Sequence, residues 1–307
     1  MSSALYFAHK GILFPNIGYD VETVKFVENE FQLLDDDVLN VTYPKSGTNW
    51  MQEILGLIWH NGDPSWVRSS FAWDRSLWIE TTDGMKIALA SPPPRLMASH
   101  LPFQLFPKSF LQTKAKVIYT LRNPRDVLVS LYYYSKFFKG NKDPGTVEEY
   151  LEEFLSGNVT YGSWFDHVKS WLELKGRPNV FFNSYEQMQQ DLRGSVEKIC
   201  RFLGKELNSQ QIDSVVENAS FQKMKDNLKS NFTTMSDDAF DHKKGKLLRK
   251  GDRDASSVWA AKCLRRGWPL PSTQMMTVSA PFRHLGGAHS TARAATTEKA
   301  LSLDTTS

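Results

Sequence analysis

The spacing of apolar and polar residues predicts short strands that alternate with amphipathic helices. Runs rich in β-branched and aromatic residues predict strands at 38–42, 116–121 and 179–182. Apolar residues at helical spacing predict helices at 21–30, 50–58, 124–138, 146–157, 163–175 and 209–219, and a further helix that ends near residue 203. Because strands that alternate with helices need crossover connections, we predict an α/β fold with a central parallel sheet of about five strands flanked by helices.

The first strand leads through a polar turn directly into a helix, which is a P-loop-like arrangement. The turn contains Lys45, Ser46, Gly47, Thr48 and Asn49. Backbone N–H groups at a helix start have no partner within the helix and carry the positive end of the helix dipole, so this turn suits a phosphate group. The turn does not match the G-x-x-x-x-G-K-[ST] loop of nucleoside triphosphatases. A plain helix start capped by Thr48 or Asn49 is the structural alternative.

A second strand-turn-helix begins where the strand at 116–121 ends. Arg122 follows that strand, and Ser130 lies on the second turn of the next helix. Asn123 is the expected helix cap, with a proline at the first helical position. A guanidinium group can bond two phosphate oxygens at once, so this turn is a second candidate anion site. The alternative is that Arg122 pairs with a carboxylate on the surface.

Residues 61–98 show neither the helical nor the strand period and are rich in aromatic side chains, among them Trp73 and Trp78. We therefore predict long loops here, which cover the core or form one wall of a pocket for a flat apolar ligand. His100 follows on a short extended segment. A lone histidine is more often structural than catalytic, but a position near the carboxyl edge of the sheet makes His100 a candidate base.

Composition excludes several classes of protein. The 307 residues are 41% hydrophobic, which is enough for one large domain or two small ones. The sequence has no apolar run of the roughly 18 residues that a spanning helix needs, so we expect no membrane association. Cys200 and Cys263 are too few and too isolated for a disulfide framework or a zinc site. This usage predicts a reducing compartment, the cytosol, and no bound metal.

The net charge of +3 comes from the end of the chain. Residues 252–307 contain seven Lys or Arg and four Asp or Glu, and residues 1–251 contain 30 of each sign. A neutral body argues against a nucleic-acid partner. Periodicity also disappears after residue 251, so we predict one domain at 1–251 and a poorly ordered tail at 252–307.

Three segments taken together resemble the cytosolic sulfotransferases: YPKSGTNW at 43–50, RNPRD at 122–126 with Ser130, and LRKG at 248–251. Three others resemble the hydroxysteroid (alcohol and bile-salt) branch of that family: SHLP at 99–102, LFPKSF at 105–110 and YGSWFDH at 161–167. The resemblance covers residues 1–251. It implies transfer of the sulfuryl group of 3′-phosphoadenylyl sulfate (PAPS) to a hydroxyl group, with 3′,5′-ADP as the nucleotide product.

The resemblance also implies roles for individual residues. His100, Lys45 and Ser130 would form the catalytic set, with His100 as a general base of ordinary pKa and Lys45 stabilising charge on the bridging oxygen. Lys45 and the turn 46–49 would hold the 5′-phosphate. The other implied nucleotide contacts are Trp50 and Phe221 on the faces of the adenine, Tyr185 at its edge, Ser220 and Met224, and, at the 3′-phosphate, Arg122, Ser130, Arg249, Lys250 and Gly251.

The implied acceptor is an apolar alcohol of the hydroxysteroid or bile-acid class. Its pocket would be walled by Trp73, Trp78, Tyr134, Phe137, Phe138 and Tyr161. Residues 252–307 replace the closing segment and the dimer motif of the family, which argues against the usual homodimer. That replacement raises an alternative function, an isoform that binds PAPS or steroid without efficient turnover. A small-molecule kinase is a weaker alternative, because the ATP-binding pattern and a metal-binding aspartate are missing.

Overall fold

A five-stranded parallel sheet organises the part of the chain that the computed structural model describes, residues 5–248. The strands are β1 (Tyr6–His9), β2 (Ile12–Pro15), β3 (Val38–Thr42), β4 (Leu77–Trp78), β5 (Leu96–Ser99), β6 (Lys116–Leu121) and β7 (Val180–Ser184). The sheet has the order β4-β5-β3-β6-β7, and each neighbouring pair is parallel. The predicted α/β fold is confirmed. The predicted ligands Arg249, Lys250 and Gly251 and the predicted tail at 252–307 lie outside the described residues.

The helices are α1 (Val21–Asn29), α2 (Thr48–Trp59), α3 (Ser65–Ser69), α4 (Ala72–Arg75), α5 (Thr82–Ala90), α6 (Pro124–Phe137), α7 (Val147–Ser156), α8 (Trp164–Leu172), α9 (Tyr185–Gln190), α10 (Leu192–Leu203), α11 (Ser209–Asn218) and α12 (Phe221–Asp226). Helices α2 to α8 lie in the crossover connections between the strands of this sheet, α1 precedes β3, and α9 to α12 follow the last strand. The helices predicted from apolar spacing are all present. None of the helices within residues 5–248 is both long enough and apolar enough to cross a membrane.

The prediction of long loops at 61–98 is wrong. This stretch forms α3, α4, β4, α5 and β5. Each of these elements contains between two and nine residues, which is too short for a hydrophobic period to show in the sequence. The correction matters for the site, because β5 pairs with β3 and His100 is the first residue beyond it.

The sheet is buried on both faces. Along β6, Val117 and Tyr119 belong to one hydrophobic cluster, whereas Ile118 between them belongs to a second cluster. Successive side chains of a strand point to opposite faces, so the two clusters lie on opposite sides of the sheet. A parallel sheet covered on both faces presents its carboxyl edge to ligands.

Four strands end together at that carboxyl edge. The registers place the last residues of β3, β5, β6 and β7 within two positions of one another. The chain then continues into the polar turn 43–47 after β3, His100 after β5, Arg122 after β6 and Tyr185 after β7. Residues far apart in the sequence are therefore brought to one edge of the sheet.

An antiparallel hairpin of β1 and β2, which the sequence analysis did not predict, packs against α1. Its turn residues Lys10 and Gly11 both have positive φ, 49° and 79°, as a two-residue hairpin turn of type I′ requires. The buried Glu28 of α1 accepts from Lys10 Nζ at 2.5 Å and lies 3.0 Å from His9 Nε2. The backbone N–H of Tyr161 donates to β2 at 2.9 Å, so the hairpin supports a segment that reaches the candidate site.

Candidate active site

The turn between β3 and α2 has a backbone shape that suits an anion. Lys45 and Gly47 both have left-handed φ, 68° and 100°, on either side of Ser46. Turns of this kind can direct successive N–H groups toward one point. Gly47 is the N-cap of α2, and no side chain caps this helix start. The alternative that Thr48 or Asn49 caps the helix is therefore wrong, because Thr48 is already the first helical residue.

Three buried polar atoms around this turn have no hydrogen-bond partner among the described residues. They are Ser46 Oγ, Thr120 Oγ1 and Arg122 Nε. A buried donor without a partner costs free energy, on the order of 1–3 kcal/mol, so such atoms point to a ligand that completes their bonding. The hydroxyl and guanidinium donors of this set fit the oxygen atoms of a phosphate or sulfate group.

Arg122 and Tyr185 form one wall of the turn. Arg122 Nη1 donates to the carbonyl oxygen of Lys45 at 2.8 Å, and its guanidinium carbon lies 4.2 Å from the centroid of the Tyr185 ring. Within residues 5–248, Arg122 forms no ion pair with a carboxylate. A Cβ atom on Gly47 would lie 2.7 Å from Tyr185 Cδ2, so only glycine lets the turn approach this wall. Ser130 lies partly exposed on the second turn of α6.

The predicted adenine contacts lie at the start of α2 and at the junction of α11 and α12. Trp50 Nε1 donates to the carbonyl oxygen of Ala219 at 2.8 Å, and the Trp50 ring meets the Tyr185 ring edge-on at 5.2 Å. Ser220 is the N-cap of α12, and Phe221 is 41% exposed. The exposed Phe221 ring and the partly exposed Trp50 leave aromatic surface available to a base. Met224, by contrast, is buried.

His100 is held in one tautomer by the backbone of β3. Its Nδ1 lies 2.7 Å from the carbonyl oxygen of Thr42 and 3.2 Å from Thr42 Oγ1. Since a carbonyl oxygen can only accept, Nδ1 carries the proton and Nε2 keeps its lone pair. This arrangement presents Nε2 as a proton acceptor.

The ordinary pKa expected for His100 from the sequence is wrong. The ring keeps some accessible surface, but it packs between Trp78, at 4.6 Å between centroids, and Tyr161, at 5.2 Å. Burial lowers the pKa of His100 to about 3, the hydrogen bond to the Thr42 carbonyl opposes the shift, and the nearby His167 and Lys45 add to it. His100 is therefore neutral at physiological pH, which suits a proton acceptor.

The predicted acceptor pocket is only partly gathered around His100. Trp78 and Tyr161 flank the imidazole, and Lys45 Nζ lies 4.5 Å from the Tyr134 ring centroid. These contacts bring Tyr134 to the phosphate turn. Aromatic side chains beside a neutral imidazole suit the hydroxyl end of an apolar alcohol.

The other three predicted pocket residues lie in aromatic clusters. Phe138 stacks on Tyr134 at 5.3 Å between centroids, and Phe137 belongs to the same buried cluster. Trp73 stacks on Phe71 at 4.4 Å. The pocket assignments of Phe137, Phe138 and Trp73 stay predictions.

Two buried polar residues near His100 were missed by the sequence analysis. Glu80, just beyond β4, accepts a hydrogen bond from the backbone N–H of His100 at 2.6 Å. His167 in α8 lies 2.9 Å from the backbone carbonyl of His100. His167 stands in the YGSWFDH segment at 161–167, which was a signal for family membership but not for this contact. Glu80 has no signal of its own, because a single carboxylate after an aromatic segment is common.

No group of three or more His, Cys, Asp or Glu side chains in the described part of the chain could hold a metal ion. The absence of a metal from the reaction stays a prediction. The hydrogen-bond donors at this edge are backbone N–H groups, hydroxyls and basic side chains.

Comparisons with known proteins agree with this geometry. Residues 35–255 match the family described as sulfotransferase domain. The chain is 53% identical over 246 residues to sulfotransferase 2B1 of Rattus norvegicus, which covers 80% of this chain and 72% of that protein. It is 49% identical over 229 residues to the 3-beta-hydroxysteroid sulfotransferase of Cavia porcellus, which covers 75% of this chain and 80% of that protein.

One solved structure is similar to this chain both in fold and in sequence. The crystal structure of mouse sulfotransferase SULT7A1 complexed with PAP is similar, with a TM-score of 0.69 and 30% sequence identity. The match covers 86% of this chain and 92% of that chain.

Proposed function

The chain belongs to the sulfotransferase family, and on that premise we propose that it transfers the sulfuryl group of PAPS to the hydroxyl group of a steroid-like alcohol. One observation carries the proposal. His100 bonds the β3 backbone through Nδ1, so its unprotonated nitrogen, Nε2, is available to a substrate. This nitrogen lies at the sheet edge that also carries the Lys45 turn. A proton acceptor and an anion-binding turn at one edge are what transfer of an anionic group to a hydroxyl requires.

The nucleotide roles follow from the contacts at the turn. The N–H groups of 47–49 and the Lys45 ammonium bind the 5′-phosphate, and Ser46 Oγ gains the partner that it lacks. The Ser46 N–H already donates to the Tyr43 carbonyl at 3.2 Å, so Ser46 contributes its hydroxyl. Arg122 and Ser130 bind the 3′-phosphate, and Arg122 is held for this role by the Lys45 carbonyl and the Tyr185 ring. Trp50, Tyr185 and Phe221 contact the adenine. A mouse sulfotransferase of the same fold is complexed with PAP, which supports this class of nucleotide.

Sulfuryl transfer requires two roles of this chain, a proton acceptor and a positive charge near the leaving oxygen. When bound, PAPS supplies a sulfuryl group, whose bond to the bridging phosphate oxygen breaks as a bond to the acceptor oxygen forms. His100 Nε2 takes the proton of the acceptor hydroxyl. The Lys45 ammonium stabilises the negative charge that stays with the nucleotide.

The acceptor class is supported by relatives and by the aromatic walls. One relative is named for 3-beta-hydroxysteroids and another for 3-alpha-hydroxysteroids, at 49% and 48% identity. Trp78 and Tyr161 surround His100 with aromatic side chains, which suit an apolar alcohol. The test is the kcat/KM for a hydroxysteroid against that for a simple phenol with PAPS. Faster transfer to the steroid supports the assignment, and much faster transfer to the phenol contradicts it.

We expect little change of kcat/KM between about pH 5.5 and 7.5, because His100 stays neutral throughout this range. A base of ordinary pKa, near 6.5, would lose about tenfold in activity over the same interval. The other titratable groups facing His100 are Lys45, His167, Glu80 and Tyr161. Burial raises the pKa of Glu80 to about 7, but a protonated carboxyl keeps an oxygen that can accept from His100.

The measurement for this prediction is kcat/KM for the acceptor at saturating nucleotide, across that pH range. A flat profile is the expected result. A tenfold fall on acidification, with a midpoint near that of free histidine, would contradict the burial argument.

Arg122→Ala is expected to weaken binding of the nucleotide bisphosphate by about 10- to 100-fold, because one charge-assisted contact is lost. Binding of the analogue without the 3′-phosphate should change by less than about threefold, since that analogue lacks the group in question. Calorimetry with both nucleotides measures the difference, and Arg201→Ala, an exposed arginine of α10, is the matched control. Equal losses for the two nucleotides would refute the 3′-phosphate role.

We further propose that the protein acts on a small-molecule acceptor in the cytosol, without a nucleic acid or a membrane. The balanced charge of residues 1–251 and the two isolated cysteines support this proposal. The segment expected to carry the dimer motif is replaced in this sequence, which supports action as a monomer. Sedimentation of the full chain tests the oligomeric state.

A further inference from the structure

Both backbone polar groups of His100 are bonded by buried side chains. The N–H donates to Glu80 Oε1 at 2.6 Å, and the carbonyl oxygen accepts from His167 Nε2 at 2.9 Å. Glu80 is 0% exposed and His167 is 1% exposed. His100 lies one residue beyond the end of β5, where the sheet no longer holds the backbone. The two side chains therefore fix the His100 backbone by hydrogen bonds, as strand pairing fixes the backbone of the residues before it.

The tautomer of His167 is set from its other side. Because the His100 carbonyl can only accept, His167 Nε2 carries the proton and Nδ1 is an acceptor. The Tyr119 hydroxyl lies 2.9 Å from that Nδ1 and donates to it. Tyr119 belongs to β6 and is fully buried, so a rigid strand determines which nitrogen of His167 faces His100.

Glu80 is part of a second buried arrangement. Tyr161 Oη lies 3.5 Å from Glu80 Oε1 and donates to Tyr19 Oη at 3.0 Å. Tyr161 has a left-handed φ of 66°, a strained conformation for a bulky residue, and strain of this kind is often found at functional sites. Burying a carboxyl group costs free energy unless the group is hydrogen-bonded. The 2.6 Å hydrogen bond that Glu80 accepts from the His100 N–H is shorter than its contact with Tyr161.

Resting on the proposed role of His100 as the base, we propose that Glu80 and His167 are positioning residues. They bond the two backbone groups of His100 and, together with the Thr42 carbonyl, aim Nε2 at the acceptor hydroxyl. What Glu80 supplies is a hydrogen-bond acceptor at a defined point, and its charge is not required. A misplacement of about 1 Å at a reacting group can cost on the order of 100-fold in rate.

The test compares Glu80→Leu with Glu80→Gln in the full chain. Glu80→Leu is expected to lower kcat by about 10- to 100-fold, while KM for the acceptor and Kd for PAP change by less than about threefold. Glu80→Gln keeps an oxygen that accepts from His100 and is expected to recover kcat to within about threefold of the parent. The matched control is Glu28→Leu, the same change at another buried carboxyl, 1% exposed against 0% for Glu80, which lies in α1. It should lower stability without lowering kcat.

Tyr119→Phe is the second variant, for the case in which Glu80→Leu does not fold. It removes only the hydroxyl that fixes His167 and is expected to lower kcat several-fold with PAP binding intact. The inference is overturned if Glu80→Gln loses as much as Glu80→Leu, since charge would then matter, or if both Glu80→Leu and Tyr119→Phe keep the parental kcat. These outcomes require an active parent. An inactive parent chain would instead overturn the proposed function.

Discussion

His100→Ala is expected to lower kcat for sulfuryl transfer by about 10²- to 10⁴-fold, the range typical for loss of a general base. The physical reason is the geometry of the imidazole. Its Nδ1–H group donates to the Thr42 carbonyl oxygen, with 2.7 Å between nitrogen and oxygen, so Nε2 is the ring nitrogen with a free lone pair. Without this nitrogen, the acceptor hydroxyl must lose its proton to water.

Binding of PAP should distinguish a catalytic loss from a folding defect. His100 contacts the β3 backbone and the aromatic walls, and none of its hydrogen bonds involves the turn 43–49, so Kd for PAP should stay within about threefold of the parent. His60→Ala is the matched control, because His60 packs on Trp66 beyond the far end of α2. A His100→Ala variant with parental kcat would exclude His100 as the base.

Lys45→Ala is expected to damage both nucleotide binding and turnover. Loss of one charge-assisted contact should weaken Kd for PAP by about 10- to 100-fold. Loss of the positive charge near the leaving oxygen should lower kcat by about 10²- to 10³-fold in addition, as for removal of an oxyanion donor. Residue 45 has a left-handed φ of 68°. The hydrogen bond from Arg122 to its carbonyl oxygen supports this conformation, and the substitution does not remove that bond.

Lys116→Ala is the matched control for Lys45. Lys116 begins β6 at the opposite edge of the sheet, where its ammonium donates to the Leu203 carbonyl at 2.8 Å. Titration of PAP and steady-state kinetics on both variants make the comparison. A Lys45→Ala variant with reduced binding but parental kcat would assign Lys45 to binding alone.

Much of the fold could be predicted from the sequence because the central strands are buried on both faces. The run at 38–42 and the run at 116–121 agree with β3 and β6 residue for residue. The turn after β3 was recognisable because a lysine, a glycine and hydroxyl residues stand between a strand and a helix. The carboxyl-edge rule for parallel sheets made His100 a candidate base.

The short elements of 61–98 could not be predicted, and this hid the strand that ends just before His100. β4 has two residues and β5 has four. Their stability comes from pairing with β3 and from the shared core, which a local pattern does not encode. The aromatic residues in this stretch suggested a wall, but not which of them would face His100.

The supports of His100 were out of reach for a different reason. Glu80 and His167 are 20 and 67 positions away from His100 in the sequence, so their bonds exist only once the sheet, the hairpin and α8 are assembled. The lowered pKa of His100 depends in the same way on burial by distant aromatic rings. Sequence motifs named His100 as a candidate base but could not describe its surroundings.

The most direct measurement of the central claim is transfer of radiolabelled sulfur from PAPS to a hydroxysteroid by the full 307-residue chain, with PAP binding measured on the same preparation. The proposed function predicts a labelled steroid sulfate whose formation depends on protein, PAPS and steroid together. PAP binding at normal affinity without any labelled product would contradict the claim and favour the alternative of an isoform that binds its nucleotide without turnover.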